Sequence, residues 1–489
     1  MKKPKLPNCH NHVCLIIFGS SFLASTMAYI YFSSSIHGVF AASRPHTSGS
    51  QPAASHDSLV PSGPVSQPNV TVVVVDDDPC SGKYIFIHQL PPKFNSDVLL
   101  ECDRLLPMTD MCVSIQNDGF GPLIFNGSTG EGGFKPETWF ATNQFTLELI
   151  FHKRMKQYPC LTHNSSSANA LFVPFYAGLD AGRTLWALNT TVRDRVAIEF
   201  LNYISSLKEW KVMDGRDHFF VAGRIGWEFR RFGDNGSDWG NSLMCQPQSK
   251  HTSMLTIEAS KFKNEVSIPY PTYFHPSTSD QVRQWQRSVE HTERRFLFAF
   301  AGALRPNQPG SIRNELFAQC LATSEECALL SCSNTFDPKC HHPLNVLKLF
   351  QNARFCLQPT GDSPTRRSTF DSIISGCIPV FFRMESGPEQ YVWHFPRNYT
   401  SYSVYIPEED VQMKKADIRS ILSRIPAEKV TAMRREVIKM IPRVIYRNAG
   451  RGDGLEQKDA FDVAVEGILN RVENIKREFS SGIESGLYF

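Results

Sequence analysis

The stretch ARFCLQPTGDSPTRRSTFDSIISGCIPVFF, residues 353 to 382, sets two apolar runs on either side of a polar turn that carries two adjacent arginines. ARFCLQP reads as a strand, and TGDSP supplies the Gly, Asp, Ser and Pro of a turn. From about Pro364 the pattern becomes helical, with Ser363 as N-cap and proline at the first helical position. Phe370, Ile373 and Ile374 fall at i, i+3 and i+4 and face a sheet. Gly376 ends the helix and CIPVFF is the next strand. Strand, helix, strand, with both strands apolar, is the pattern of a parallel α/β sheet covered on both faces.

Arg366 and Arg367 then stand in the first turn of a helix. That end carries partial positive charge, so a cation there costs a few tenths to about 1 kcal/mol unless an anion binds. A diphosphate fits; two solvated surface arginines fit the local sequence equally well. Asp371, one turn on, is placed either to reach a ribose hydroxyl, as an acid does in dinucleotide folds, or to sit on the helix surface.

Working outward, the segments KYIFIHQLP (83–91), NALFVPFYA (169–177), HFFVAGRIGW (218–227) and RRFLFAFAGALRP (294–306) read as further buried strands. Helical patterns such as TVRDRVAIEFLNYISSLKEW (191–210) lie between them. The strands form two groups, joined through the Pro- and Tyr-rich SIPYPTYFHPSTSD (267–280). We therefore expect two Rossmann-like α/β domains facing a cleft, over 80–290 and 291–445, then a C-terminal helix and tail over 446–489.

The N-terminus indicates the compartment. Lys2, Lys3 and Lys5 precede twenty uncharged residues, Val13 to Phe32, enough to cross a bilayer. By the positive-inside rule, 1–12 is a cytosolic tail, 13–32 a transmembrane anchor, and the remainder luminal. Residues 33–79, rich in Ser, Pro, Gly and Ala, form a flexible stem. Six Asn-x-Ser/Thr sequons follow the anchor, at Asn69, Asn126, Asn164, Asn189, Asn235 and Asn398. Eleven cysteines follow it too, so most should pair and at least one is left over. The group Cys327, Cys332, Cys340, His341, His342 has zinc-like residue types, but its irregular spacing in a lumen argues for disulfides. A net charge of +3 with pI near 8.2 excludes a nucleic-acid footprint. VVVVDDD (72–78) looks like a DxD metal site, yet only stem and anchor precede it, so we read it as the end of the stem.

The opening stretch, with HQLPPKFN (88–95), GRIGWEFRR (223–231), SDWGN (237–241) and FAGALRP (300–306), resembles plant exostosin-like glycosyltransferases of family 47. The resemblance is strongest to xyloglucan galactosyltransferases of Golgi membranes and covers about 80 to 475. It implies a GT-B fold and inverting transfer of galactose from UDP-galactose to a xylosyl branch of xyloglucan, in cell-wall hemicellulose synthesis. Neither a cofactor nor a metal is expected, because paired guanidinium groups offset diphosphate charge. On this reading Arg305, Ser363, Thr365, Arg366, Arg367, Ser368 and Asp371 bind the donor. Glu228 is the expected base, where many relatives carry Asp, with His88 and Glu131 as lesser candidates; an ion pair from Glu228 to Arg230 or Arg231 is the competing role. Trp139, Tyr176, Trp186 and Trp227 are candidate acceptor platforms, although most such rings are core. The same fold using UDP-galacturonate, UDP-arabinose or GDP-fucose is one alternative, and a noncatalytic Golgi glycan-binding scaffold another. Association with itself or with other Golgi transferases stays open.

Overall fold

The computed structural model describes residues 78–482, apart from 108, 126–133, 186, 234–237, 309, 333–337 and 449–456. The expected anchor, and the stem up to residue 77, lie outside these residues. No helix among the described residues is long and apolar enough to cross a membrane.

Two five-stranded sheets, parallel throughout, carry the fold. The first holds β1 (Ile85–Ile87), β2 (Ala170–Phe172), β3 (His218–Ile225), β4 (Ser253–Glu258) and β5 (Glu265–Ser267), side by side in chain order. The second holds β6 (Phe296–Ala303), β7 (Cys327–Cys332), β8 (Ala353–Gln358), β9 (Ile378–Phe381) and β10 (Val404–Tyr405), in the order β10-β9-β8-β6-β7. The helices used below are α1 (Leu147–Lys156), α2 (Ala177–Thr184), α3 (Ser279–His291), α4 (Ile312–Ala322), α5 (Arg367–Ile374) and α6 (Ala460–Ser480).

Side-chain alternation on β3 divides the first domain's core. Phe220 and Ala222 face Phe200, Leu201 and Trp210 from the helices over 190–213. Phe219 and Val221 face the other way. From Phe219 a chain of rings runs through Phe172 and Phe151 of α1 to Phe461 of α6, with centroids 5.3, 5.8 and 4.8 Å apart. The C-terminal helix thus returns to cover the first sheet. At its start Asp459 caps α6, accepting from Asp462 N (3.0 Å), Arg447 N (2.9 Å) and Arg154 Nη1 of α1 (2.5 Å). Both members of this ion pair are buried. Removing one charge leaves the other unpaired in the core, so Asp459→Ala is expected to cost about 3–5 kcal/mol, read as a lower denaturation midpoint. A loss below about 1 kcal/mol would show that the pair does not hold the helix.

The two sheets differ in one respect that matters for ligands. The first runs in simple order and has no reversal. The second reverses between β6 and β8, and open α/β sheets bind ligands outside the carboxyl ends of the strands at such a point. Helix α3 docks on this second domain, with Trp285 Nε1 donating to Ile374 O at 2.8 Å.

Ten of the eleven cysteines that follow residue 32 form disulfides, 80–160, 102–112, 320–327, 332–340 and 356–377, and Cys245 remains a thiol. The cysteines of the zinc-like group therefore belong to two disulfides: Cys332 pairs with Cys340 inside the group, and Cys327 with Cys320 outside it. Cys356–Cys377 closes the loop containing the arginine turn; at a sequence separation of 21, chain entropy alone makes it worth about 3 kcal/mol.

Candidate active site

The carboxyl ends of β6 and β8 lead into the loops that build a basic cluster. Arg305 follows β6, with Nη2 donating to Asp362 Oδ1 at 2.7 Å and its backbone N to Asn314 Oδ1 at 2.9 Å. Arg313, in the first turn of α4, reaches Thr360 O from Nε at 3.1 Å. Arg366 donates through Nη1 to Thr365 O (2.7 Å) and Ser363 Oγ (3.3 Å). Gly361 makes room for it, because a Cβ there would overlap the Arg366 guanidinium. The arginines act on one another: burial, then Arg366 and Arg305, bring Arg313 down to about 10. Burial alone would raise Asp362, yet Arg305, Arg366 and Arg313 together hold it below the usual carboxylate range. Arg305 pairs with Asp362, and Arg366 and Arg313 act on the same carboxylate, so this turn carries a surplus of positive charge.

The first sheet meets this cluster through Glu258, the last residue of β4. It is buried, and its Oε2 accepts from Thr365 N (2.7 Å) and Thr365 Oγ1 (2.5 Å). Tyr270 Oη lies 3.0 Å from the same threonine oxygen, and Tyr391 Oη donates to Ile257 O at 2.8 Å. These bonds fix Thr365 after the bend at 362–364, and Arg366 beyond it is extended, at φ −146° and ψ 143°. The helix consequently begins at Arg367, with Arg366 as an N-cap that makes no side-chain cap, and neither the Ser363 cap nor the Pro364 start occurs.

Glu228 lies in the single turn Gly226–Phe229 that follows β3. Its carboxylate accepts from Arg224 Nε (2.7 Å), Arg224 Nη2 (3.3 Å) and Trp239 Nε1 (3.1 Å). Gly240, at φ +80°, lets the chain press against the Glu228 backbone where a Cβ would collide. The competing ion pairs do not form, because Arg230 is bound to Glu265 and Arg231 to Asp194. Tyr270 links the halves: burial and then Glu258 raise its pKa, Arg366 opposes, and Glu228 adds to the rise.

The exostosin GT47 domain model matches residues 79–424. The chain belongs to this family. It is 48% identical over 410 residues to a probable xyloglucan galactosyltransferase of Arabidopsis thaliana, covering 83% of this chain and 80% of the relative. A xyloglucan galactosyltransferase of the same plant is 48% identical over 413 residues, covering 84% of this chain and 66% of the relative. A xyloglucan-specific galacturonosyltransferase of that plant is 39% identical over 397 residues, covering 80% and 58%.

Several residues assigned from sequence point elsewhere in this exostosin-family chain. Arg367 turns inward, donating through Nη1 to Thr142 O at 2.6 Å with its guanidinium 3.5 Å from the Tyr273 ring centre. Asp371 is buried, 3.8 Å from Arg367 Nε, with its pKa pushed up to about 6 by burial against the pull of Arg367; it cannot meet a ribose. Thr365 is fully buried and committed to Glu258 and Tyr270. Ser363 braces Arg366, and Ser368 donates to Gln358 Oε1 at 2.6 Å. His88 is buried, stacked 5.0 Å from His218, with burial and then His218 lowering its pKa to about 4. His218 opens β3, whose eight residues span about 25 Å before the Glu228 turn, so His88 is not part of that site.

Trp139 is fully buried between Phe134, Phe274 and Trp285, and Tyr176 is buried with its Oη 2.9 Å from His152 Nδ1. Neither offers a face to a sugar, whereas Trp227 is 39% exposed beside Glu228. Glu131 and Trp186 lie outside the described residues, as do the sequons at Asn69, Asn126 and Asn235; Asn164, Asn189 and Asn398 are exposed. Sequence reading missed Arg313, Glu258 and Trp239. For the first two the signal was present: an arginine opening the helix after a strand, as with Arg366, and an acid closing the apolar strand SMLTIE.

Proposed function

We propose that this chain is an inverting glycosyltransferase of GT-B architecture that moves galactose from UDP-galactose to a xylosyl branch of xyloglucan. The observation that carries the reaction type is the Arg305–Arg313–Arg366 cluster at the switch point of one sheet, tied through Thr365 and Glu258 to the sheet that bears Glu228. The relatives' names support a galactosyl group and xyloglucan as the acceptor. The acceptor hydroxyl oxygen attacks the anomeric carbon as its proton passes to Glu228. The bond from that carbon to the diphosphate oxygen breaks, and UDP leaves with the electron pair. The arginines stabilise that developing charge, which is greatest in the transition state. Glu258 acts through Thr365 to position the Arg366 turn.

Three guanidinium groups supply the charge that a divalent cation would otherwise bring, so transfer is expected to survive EDTA. We place the enzyme in the Golgi lumen on a type II anchor; its five disulfides support an oxidising compartment. The galacturonosyltransferase relative favours a second donor, UDP-galacturonate. The test offers xyloglucan oligosaccharides with UDP-galactose, UDP-galacturonate, UDP-arabinose and GDP-fucose, each with and without EDTA. Galactose transfer in EDTA is expected. Transfer from another donor alone would reassign the sugar, loss in EDTA would refute the metal-free mechanism, and no transfer at all would leave a glycan-binding scaffold.

A further inference from the structure

Four aromatic rings stand as two pairs on the loops that follow β3 and β4. Trp227 is 39% exposed, 6.2 Å from Trp239, whose indole N–H holds Glu228. Phe232 is 77% exposed, 6.2 Å from Phe262, with the two rings inclined by 36°. Phe262 is braced from one side by Arg230, whose guanidinium stands 3.7 Å from the ring centre. Arg230 in turn is fixed by Glu265, Asn264 Oδ1 (2.7 Å) and Met244 O (3.0 Å). A phenylalanine held this far into water on a rigid mount gains nothing from the core, and such exposed apolar groups mark binding surfaces.

The same loop, at Ala259 and Ser260, lines a cavity of about 580 Å³, within the range of ligand pockets. Its walls include Ser260, Glu265, Gln390, Trp393, Asn470 and Asn474. Ser260 Oγ is buried there without a hydrogen-bond partner. Gly226, two residues before Glu228, is packed against Ser260 and Glu265, so the cavity shares a wall with the Glu228 turn. Flat apolar rings followed by amide and carboxylate groups suit pyranose rings, which show C–H bonds on their faces and hydroxyls at their rims.

We propose that the rings of Trp227, Phe232 and Phe262, with the cavity behind them, form a subsite for the β-glucan main chain of the acceptor. Glu228 itself is 5% exposed, so only the tip of a branch reaches it, and the main chain lies outside along the shelf. The inference rests on the glycosyltransferase reading above and adds where the polymer lies.

Calorimetric titration without donor tests it, with xyloglucan oligosaccharides and unbranched cello-oligosaccharides of increasing length as probes. Affinity should rise with main-chain length in the wild type. Phe232→Ala should weaken the longest ligands about tenfold and flatten that dependence. Phe232→Trp should restore it, and Leu188→Ala, at another exposed position, should change nothing. Melting curves confirm that each variant is folded, and Phe262→Ala provides a second probe of the shelf. Length-independent binding, or full affinity in both alanine variants, overturns the proposal; so does self-association that depends on Phe232 in place of glucan binding. Length-dependent binding without galactose transfer would refute the donor assignment and leave the shelf standing.

Discussion

Glu228→Gln is expected to lower kcat for galactosyl transfer by about 10²- to 10⁴-fold, the usual contribution of a positioned general base, with UDP affinity unchanged. Glutamine keeps the shape, and its amide oxygen can still accept from Arg224 or Trp239, whose bonds now fix the carboxylate at 2.7 and 3.1 Å. It cannot take a proton. A fall in kcat and in kcat/KM by the same factor would mark an interaction made only in the transition state. The variant leaves Arg224 without its buried partner and should melt lower in either case, so the discriminating readout is kcat on cooling, which recovers only if the role is structural. Glu258 provides the internal control, since it too is a buried acid at a strand end facing the cleft. If Glu258→Gln abolished kcat while Glu228→Gln retained most of it, the base would be Glu258. We expect Glu258→Gln to raise the KM for UDP-galactose instead, because a neutral amide holds the Thr365 turn less firmly.

What could be read from the sequence and what could not divide along one physical line. Periodicity reports which residues are apolar and how often, so the strands at 218–225, 296–303, 353–358 and 378–381 were visible, as was α6. Chain order does not report spatial order. The reversal between β6 and β8, which locates the ligand crevice, follows from how the strands pair. Side-chain direction was hidden for the same reason. Arg366 and Arg367 are adjacent letters, but the chain changes from extended to helical between them, and Arg366 folds back on its own turn at Ser363 Oγ and Thr365 O while Arg367 crosses to Thr142 O. Long-range pairs were the least visible. Nothing local to SMLTIE shows that its final glutamate holds a threonine 107 positions later, and the ion pair weighed as the competing role of Glu228 forms with Arg224, because Glu265 and Asp194 engage Arg230 and Arg231.

That divergence of the two arginines yields the second large effect. Arg366→Ala and Arg313→Ala should each weaken UDP binding by about 10- to 100-fold, because a hydrogen bond to a charged group is worth about 1.5–3 kcal/mol. The cluster's own repulsion adds to the expected gain on binding: Arg313 is already brought down to about 10 by burial and by Arg366 and Arg305, and a diphosphate relieves that. Saturating UDP should therefore raise the melting temperature of the wild type, by the mass action of a ligand that binds only the folded chain. The shift should shrink in both variants and at high salt. Arg367→Ala should behave in the opposite way. Its guanidinium covers Tyr273, donates to Thr142 O at 2.6 Å and faces the buried Asp371, so the variant leaves a buried carboxyl without its cation. It should lose about 1–3 kcal/mol of stability and retain its UDP affinity at temperatures where it is folded. Calorimetry on the three variants decides between this assignment and a site that uses both adjacent arginines. Equal loss of affinity in Arg366→Ala and Arg367→Ala would put the diphosphate over the start of α5, and full affinity in Arg366→Ala and Arg313→Ala would remove it from the cluster altogether.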